Sequence, residues 1–118
     1  YVTLAGMVAV HQFCNIGRHA FIAGGSLVRK DIPPFVKAAR EPLSYVGINS
    51  VGLRRRGFSS EKIREIQNIY RILYQKKFNN TQAIDIIEAE VEATSDRDEI
   101  LVFIKDSQRG IMKGYIQN

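Results

Sequence analysis

Aliphatic side chains recur every six residues through the first third of the chain, at Leu4, Val10, Ile16, Ile22 and Val28. Four residues after each stands Val8, Cys14, Ala20, Ser26 or Ile32, small in the middle three and branched at the ends. Ala5, Gly17 and Ala23 directly follow three of the five aliphatics. A helix returns to the same face after about 3.6 residues and a strand after two, so neither gives a strict six. A hexad with one large aliphatic and one small partner marks a β-helix solenoid. Each hexad forms a short flat strand and a corner, with the aliphatic filling the interior and the small residue where the prism narrows. Three hexads close one triangular coil, so five make fewer than two. Solenoid units bury their apolar faces only against stacked neighbours. Residues 1–35 are therefore expected to be the last coils of a longer prism.

Ile32-Pro33-Pro34-Phe35 is expected to end the repeat, because two prolines remove two ladder donors and force an extended exit. Residues 36–43 are expected to form a connector, broken again at Pro42, and residues 44–118 a C-terminal α-helical domain. Within it, 44–56 reads as a short helical stretch with Tyr45, Ile48, Val51 and Leu53 near one side, closed by Gly57. Ser59 or Ser60 caps the next helix, with Glu61 in its first turn. Ile63, Ile66, Ile69, Tyr70, Leu73 and Tyr74 recur on it at helical spacing. Asn79-Asn80 breaks that helix, and Thr81 or Asn80 opens another with Ile84, Ile87 and Val91 inward. Ser95 with Asp98 has the form of a capping box before a last helix carrying Ile100, Val102, Phe103 and Ile104, which Arg109-Gly110 ends. The expected class is mixed β and α, the end of a parallel β-helix followed by helices.

Composition changes this picture little. The chain has 118 residues, 45% apolar and 25% charged, within the range of an ordinary globular domain. No apolar run approaches the roughly 20 residues that span a bilayer. The first residue is Tyr1, without a basic-then-apolar leader, so the chain reads as a fragment or processed piece. A single cysteine, Cys14, excludes an internal disulfide framework and fits a reducing compartment.

Charge adds more. The net charge is +5 and the isoelectric point near 9.6, a balance that suits an acidic partner. Arg54, Arg55, Arg56, Lys62, Arg64, Arg71, Lys76 and Lys77 face only Glu61 and Glu65 between positions 54 and 77. From Asp85 to Asp106 the balance reverses. The run Arg54-Arg55-Arg56 is denser than solvation of a helix face requires, which makes it a candidate anion site.

Three segments carry a more specific signal: Val10-His11-Gln12-Phe13-Cys14-Asn15-Ile16-Gly17, Asp31-Ile32-Pro33-Pro34-Phe35, and the long ungapped run from Gly47-Ile48-Asn49-Ser50-Val51 through Gly52-Leu53-Arg54-Arg55-Arg56-Gly57-Phe58-Ser59. Together they resemble the UDP-N-acetylglucosamine acyltransferases of bacterial lipid A synthesis, over the C-terminal part of that family's pattern. Ser107-Gln108-Arg109-Gly110-Ile111 looks like the family's C-terminus. The resemblance implies a cytoplasmic homotrimer of left-handed parallel β-helices without stable membrane insertion, its active site in a cleft between neighbouring subunits. It implies transfer of a 3-hydroxyacyl chain from acyl carrier protein to the 3-hydroxyl of UDP-N-acetylglucosamine, the first step of lipid A biosynthesis. No cofactor, metal or covalent enzyme intermediate is implied. A histidine acts as general base, helped by a donor to the developing oxyanion.

Carried over residue by residue, the resemblance places that base upstream of Tyr1, so no catalytic residue is expected in this chain. His11 and Gln12 then line the cleft and contact substrate, the amide giving and taking hydrogen bonds with an uncharged group. Asn49, Arg55 and Arg56 match the positions that hold the nucleotide, where guanidinium forks suit diphosphate oxygens. Some family members carry glutamate where this chain has Val51. Gly6 and Gly24 match the groove for the acyl chain, since an alkyl chain approaches backbone closely only where no side chain intervenes. The residues alone leave plainer readings open: an exposed prism wall for His11 and Gln12, a helix surface patch for the arginines, an eased corner for the glycines. His19 reads as a surface or trimer contact and Cys14 as a packed thiol. Three further functions compete: a non-catalytic trimerising or binding module, a related hexapeptide UDP-sugar N-acyltransferase, and a nucleic-acid binder. The last lacks interleaved aromatics and any recognised motif, and no nucleic-acid partner is expected.

Overall fold

The six-residue period becomes three walls of short parallel strands in the computed structural model, which describes residues 2–74, 79–107 and 110–114. One wall begins with β1 (Thr3–Leu4) and β3 (Phe21–Ile22), and a second holds β2 (Ala9–Val10) and β4 (Leu27–Val28). A bridge between Ile16 and Ile32 marks the third. Thr3 pairs with Phe21 and Ala9 with Leu27, each eighteen residues apart, so three hexads do make one coil. Ile22, Val28 and Ile32 fill the prism at 0% exposure, whereas Leu4 (49%) and Val10 (41%) stand open at its first turn.

The solenoid does not stop at Pro33-Pro34. Val36–Ala39, expected within a connector, forms β5 and pairs in parallel with β3, Phe21 opposite Lys37. The prolines cost the ladder nothing because they fall at a corner. Ile32 donates to the Asn15 carbonyl and Phe35 to that of Arg18, with the imides between them. Two residues are lost from the coil, giving offsets of sixteen between Ile16 and Ile32 and between Phe21 and Lys37. Both are lost between Val28 and Ile32, ahead of the prolines, and Gly17 lies against the proline corner, where a Cβ would overlap the Pro34 backbone.

Residues 44–56 divide rather than forming one helical stretch. Ser44–Ile48 is strand β6, antiparallel to β5, and only Ser50–Arg55 forms a helix, α1. Tyr45, Val46 and Ile48 suit a pleated, half-buried surface, and the free edge of β5 supplied the ladder. Strand β7 (Lys113–Gly114) completes this sheet, whose order is β1-β3-β5-β6-β7.

Helix α2 (Ser60–Leu73) is capped by Ser59 and buries Ile63, Ile66, Ile69, Tyr70 and Leu73. Helix α3 (Asn80–Glu90) starts at a capping box formed by Asn79 and Gln82. Helix α4 (Ser95–Asp106) is capped by Thr94, one residue before the expected Ser95. It buries Ile100, Leu101 and Ile104 and leaves Val102 outside. Its C-terminal cap is Ser107, earlier than Arg109-Gly110; Arg109 lies outside the described residues, as do Lys76 and Lys77.

Polar contacts fasten the helices to the prism. Tyr70 Oη donates to the Pro34 carbonyl at 2.6 Å and Tyr74 Oη to that of Met112 at 3.0 Å. Arg18 on the coil forks onto Glu99 of α4. The largely buried Asp96 bridges Arg18 and Lys62, and Ser107 Oγ donates to Asp31 Oδ2 at 2.6 Å.

Candidate functional site

The corners of the coil set the geometry of the site. Met7, Phe13, His19 and Gly25, the fourth residue of successive hexads, all adopt positive φ, from 62° to 75°. Cys14 N–H donates back to His11 and Ala20 N–H to Gly17, closing the latter two non-glycine corners in the pattern of a type II turn. His19 was expected at the surface or in a trimer contact. Instead its residue is only 8% exposed. Its ring stacks on Phe35 at 5.9 Å and meets Phe58 edge-on at 5.2 Å. Burial, aided by the nearby positive charge of Arg18, lowers its pKa below the usual imidazole value.

The His19 carbonyl, turned outward by this corner, accepts a hydrogen bond from Asn49 Nδ2 at 3.0 Å. Asn49 Oδ1 accepts from Gly52 N–H at 3.3 Å and so caps α1. One amide thus ties a six-residue helix to the prism wall. A Cβ on Gly52 would overlap that amide. Arg54, Arg55 and Arg56 leave the last turn and C-terminal cap of α1 as exposed side chains.

Asn49 and Arg55 share a hollow of about 240 Å³ with Thr3, Phe21, Lys37, Ile48, Ser50, Val51 and Gly52. Lys37 and Phe21 were not expected there. The signal available in the sequence was the outward lysine between Val36 and Ala38, legible only once that segment is recognised as a strand. Val51 is 60% exposed, so it adds an apolar rim rather than an acceptor.

His11, Gln12, Gly6 and Gly24 do not line this hollow. His11 and Gln12 follow β2 and are exposed. His11 Nδ1 lies 2.9 Å from the Gln12 carbonyl oxygen, which only accepts. As a hydrogen bond, this contact needs a proton on Nδ1. Gly24 stacks over Gly6 one coil earlier, and a Cβ there would lie 3.0 Å from the Gly6 carbonyl oxygen; a Cβ on Gly6 would meet open space. Cys14 is half-buried, its thiol 3.8 Å from the Val28 carbonyl, as a packed thiol should be. In one chain, then, Asn49 and Arg55 share the hollow, Arg56 does not line it, His11 and Gln12 follow a strand of the second wall, and Gly6 and Gly24 follow β1 and β3 of the first.

Residues 31–112 match the family described as Udp N-acetylglucosamine O-acyltransferase, Domain 2. The chain is 41% identical over 113 residues to an acyl-[acyl-carrier-protein]–UDP-N-acetylglucosamine O-acyltransferase of Myxococcus xanthus. It is 44% identical over 117 residues to that of Herminiimonas arsenicoxydans. Those matches cover 96% of this chain but 44% and 45% of the relatives, so the chain spans less than half their length. A UDP-N-acetylglucosamine acyltransferase from Bacteroides fragilis superposes with a TM-score of 0.92 at 47% identity, over 95% of this chain and 44% of its own. That from Francisella novicida gives 0.88 at 38%, over 96% and 42%. The expected class stands: the end of a left-handed parallel β-helix followed by helices, mixed β and α. Among the described residues no helix is long and apolar enough to cross a membrane.

Proposed function

The chain belongs to the UDP-N-acetylglucosamine O-acyltransferase family, and on that premise we propose that it supplies the substrate-holding half of an acyl transfer. A 3-hydroxyacyl chain moves from acyl carrier protein to the 3-hydroxyl of UDP-N-acetylglucosamine, as the first step of lipid A biosynthesis. The observation that carries this reading is the hollow beneath Asn49 and Arg55, cationic and walled by the coil. Its arginine fork suits a diphosphate, and its amide keeps one N–H to offer a base. His11 and Gln12 hold the sugar from a different wall, which fits a cleft completed by a neighbouring copy in a homotrimer. The acyl chain runs along the backbone at Gly6 and Gly24, and the basic surface around Arg54 to Arg71 receives the acidic carrier protein in the cytoplasm.

The chemistry needs one proton removed as the sugar oxygen attacks the thioester carbonyl. The new ester C–O bond forms, the C–S bond breaks, and the carrier's thiol leaves with a proton. Residues 1–118 hold the substrates, and the general base comes from outside them. An assay with acylated carrier protein and UDP-N-acetylglucosamine tests this: the full-length protein turns over and residues 1–118 alone do not. Turnover by the short chain at the full-length rate would move the base to His11.

A further inference from the structure

Strand β5 points Val36 and Ala38 inward and Lys37 outward. The ladder places Lys37 opposite Phe21, and Phe21 opposite Thr3, so hydroxyl, aromatic ring and ammonium stand in one row across three adjacent strands. All three line the hollow that holds Asn49 and Arg55. Its nine lining residues include two cations, Lys37 and Arg55, and no carboxylate. Neither cation takes part in a salt bridge among the described residues; those bridges use Arg18, Lys62, Arg97 and Lys105.

Two like charges around one small hollow repel each other unless an anion lies between them. The half-buried Phe21 and the buried Ile48 keep part of its wall apolar, which strengthens the field of both cations on whatever enters. A dianion or larger, bridging two cations that approach from wall and helix, suits this arrangement better than a single carboxylate. We propose that Lys37 is a further substrate-binding residue, its ammonium engaging the diphosphate of the nucleotide sugar from the side opposite Arg55. The inference rests on the nucleotide reading above and deepens it. Lysine suits this place because a compact charge on a flexible stem follows a phosphate through a reaction without demanding a two-point geometry.

The test is calorimetric titration of the full-length protein and of Lys37→Gln and Lys37→Arg variants. The ligands are UDP-N-acetylglucosamine, uridine and inorganic pyrophosphate, each at low and moderate salt. Lys37→Gln is expected to weaken UDP-N-acetylglucosamine and pyrophosphate about fivefold to tenfold and to flatten their salt dependence. Uridine binding should not change, and Lys37→Arg should restore most of the loss. Unchanged affinity and salt dependence in Lys37→Gln overturn the proposal. An equal loss for uridine also overturns it, because the side chain would then be shaping the hollow rather than meeting charge. If the unaltered protein binds pyrophosphate through Lys37 yet binds UDP-N-acetylglucosamine no better than uridine, the anion contact stands and the nucleotide reading falls.

Discussion

Gly52→Ala should destabilise this protein, against the ordinary rule for glycine inside a helix. Gly52 lies in α1 and its φ is not positive, so nothing in its backbone conformation requires glycine. Replacing such a residue by alanine normally gains about 1 kcal/mol. Here the new methyl would overlap the Asn49 amide. If the amide swings away, α1 loses its cap, which costs about 1 kcal/mol. The His19 carbonyl also loses its partner, which costs roughly 1 to 3 kcal/mol when the group stays out of water. The net expectation is about 1 to 3 kcal/mol of lost stability, with weaker UDP-N-acetylglucosamine binding because Asn49 has left its place.

A double-mutant cycle separates this mechanism from simple crowding. With Asn49→Ala already made, the three atoms nearest the new methyl are gone, and Gly52→Ala should recover its ordinary stabilising sign. Thermal unfolding of the four full-length proteins reads the cycle. If Gly52→Ala stabilises in both backgrounds and leaves nucleotide affinity intact, the Asn49 amide is not the link between helix and coil.

Arg55→Ala and Arg56→Ala should each weaken UDP-sugar binding about tenfold or more, the scale of a charge-assisted hydrogen bond. Equal affinity by calorimetry in both would reduce the cluster to a surface patch. Gly24→Met should shift donor preference toward shorter acyl chains, with some loss of stability because its Cβ sits 3.0 Å from the Gly6 carbonyl. An unchanged chain-length optimum across a donor series would leave Gly24 a stacking residue only. Burial raises the Tyr45 phenol from 10.0 to about 12 and carries Tyr70 and Tyr74 above the ordinary phenol value too. The folded state therefore favours the neutral phenols. Their contribution is complete below pH 10 and falls as pH rises, that of Tyr45 being lost as pH climbs through about 12. Unfolding midpoints measured over that window should fall, and fall less steeply in Tyr45→Phe; a flat profile would mean these rings are not shielded from water.

The interior of the solenoid was legible in the sequence because one side chain in six must fill it. Leu4, Val10, Ile16, Ile22 and Val28 therefore advertised both the period and the coil. The corners were not. Met7, Phe13 and His19 hold a backbone conformation that usually selects glycine, and only Gly25 signals it. The continuation past Pro33-Pro34 was hidden because proline rules speak of ladder positions, and whether a residue lies in a ladder or a corner depends on the coil. Strand β6 escaped notice for a related reason: the short run Ser44–Ile48 has apolar residues compatible with either period, and the edge of β5 decided the outcome. Asn49 and Arg55 were readable as a motif, whereas Lys37 joined them only through strand register.

That register dependence bears on how the proposed nucleotide half of the site is held. Six residues of helix are too few to be stable alone in water, so α1 takes its position from what it touches. Asn49 fixes its start to the His19 carbonyl, and Phe58, whose N–H donates to the Leu53 carbonyl, closes its end. Phe58 then packs on the His19 ring, and both rings pack on Phe35. Both ends of α1 thus converge on one buried corner of the coil. The corner's left-handed backbone aims the His19 carbonyl at Asn49, and its ring supports the far end. The arginines that follow are as well placed as that corner is rigid. Lys37 reaches the same hollow from the neighbouring wall, where Phe35 N–H donates to the Arg18 carbonyl one residue before β5 begins. The two cations proposed to meet the diphosphate therefore stand on supports that meet at His19 and Phe35, so the coil sets where their backbones lie and the flexible arms supply only the reach.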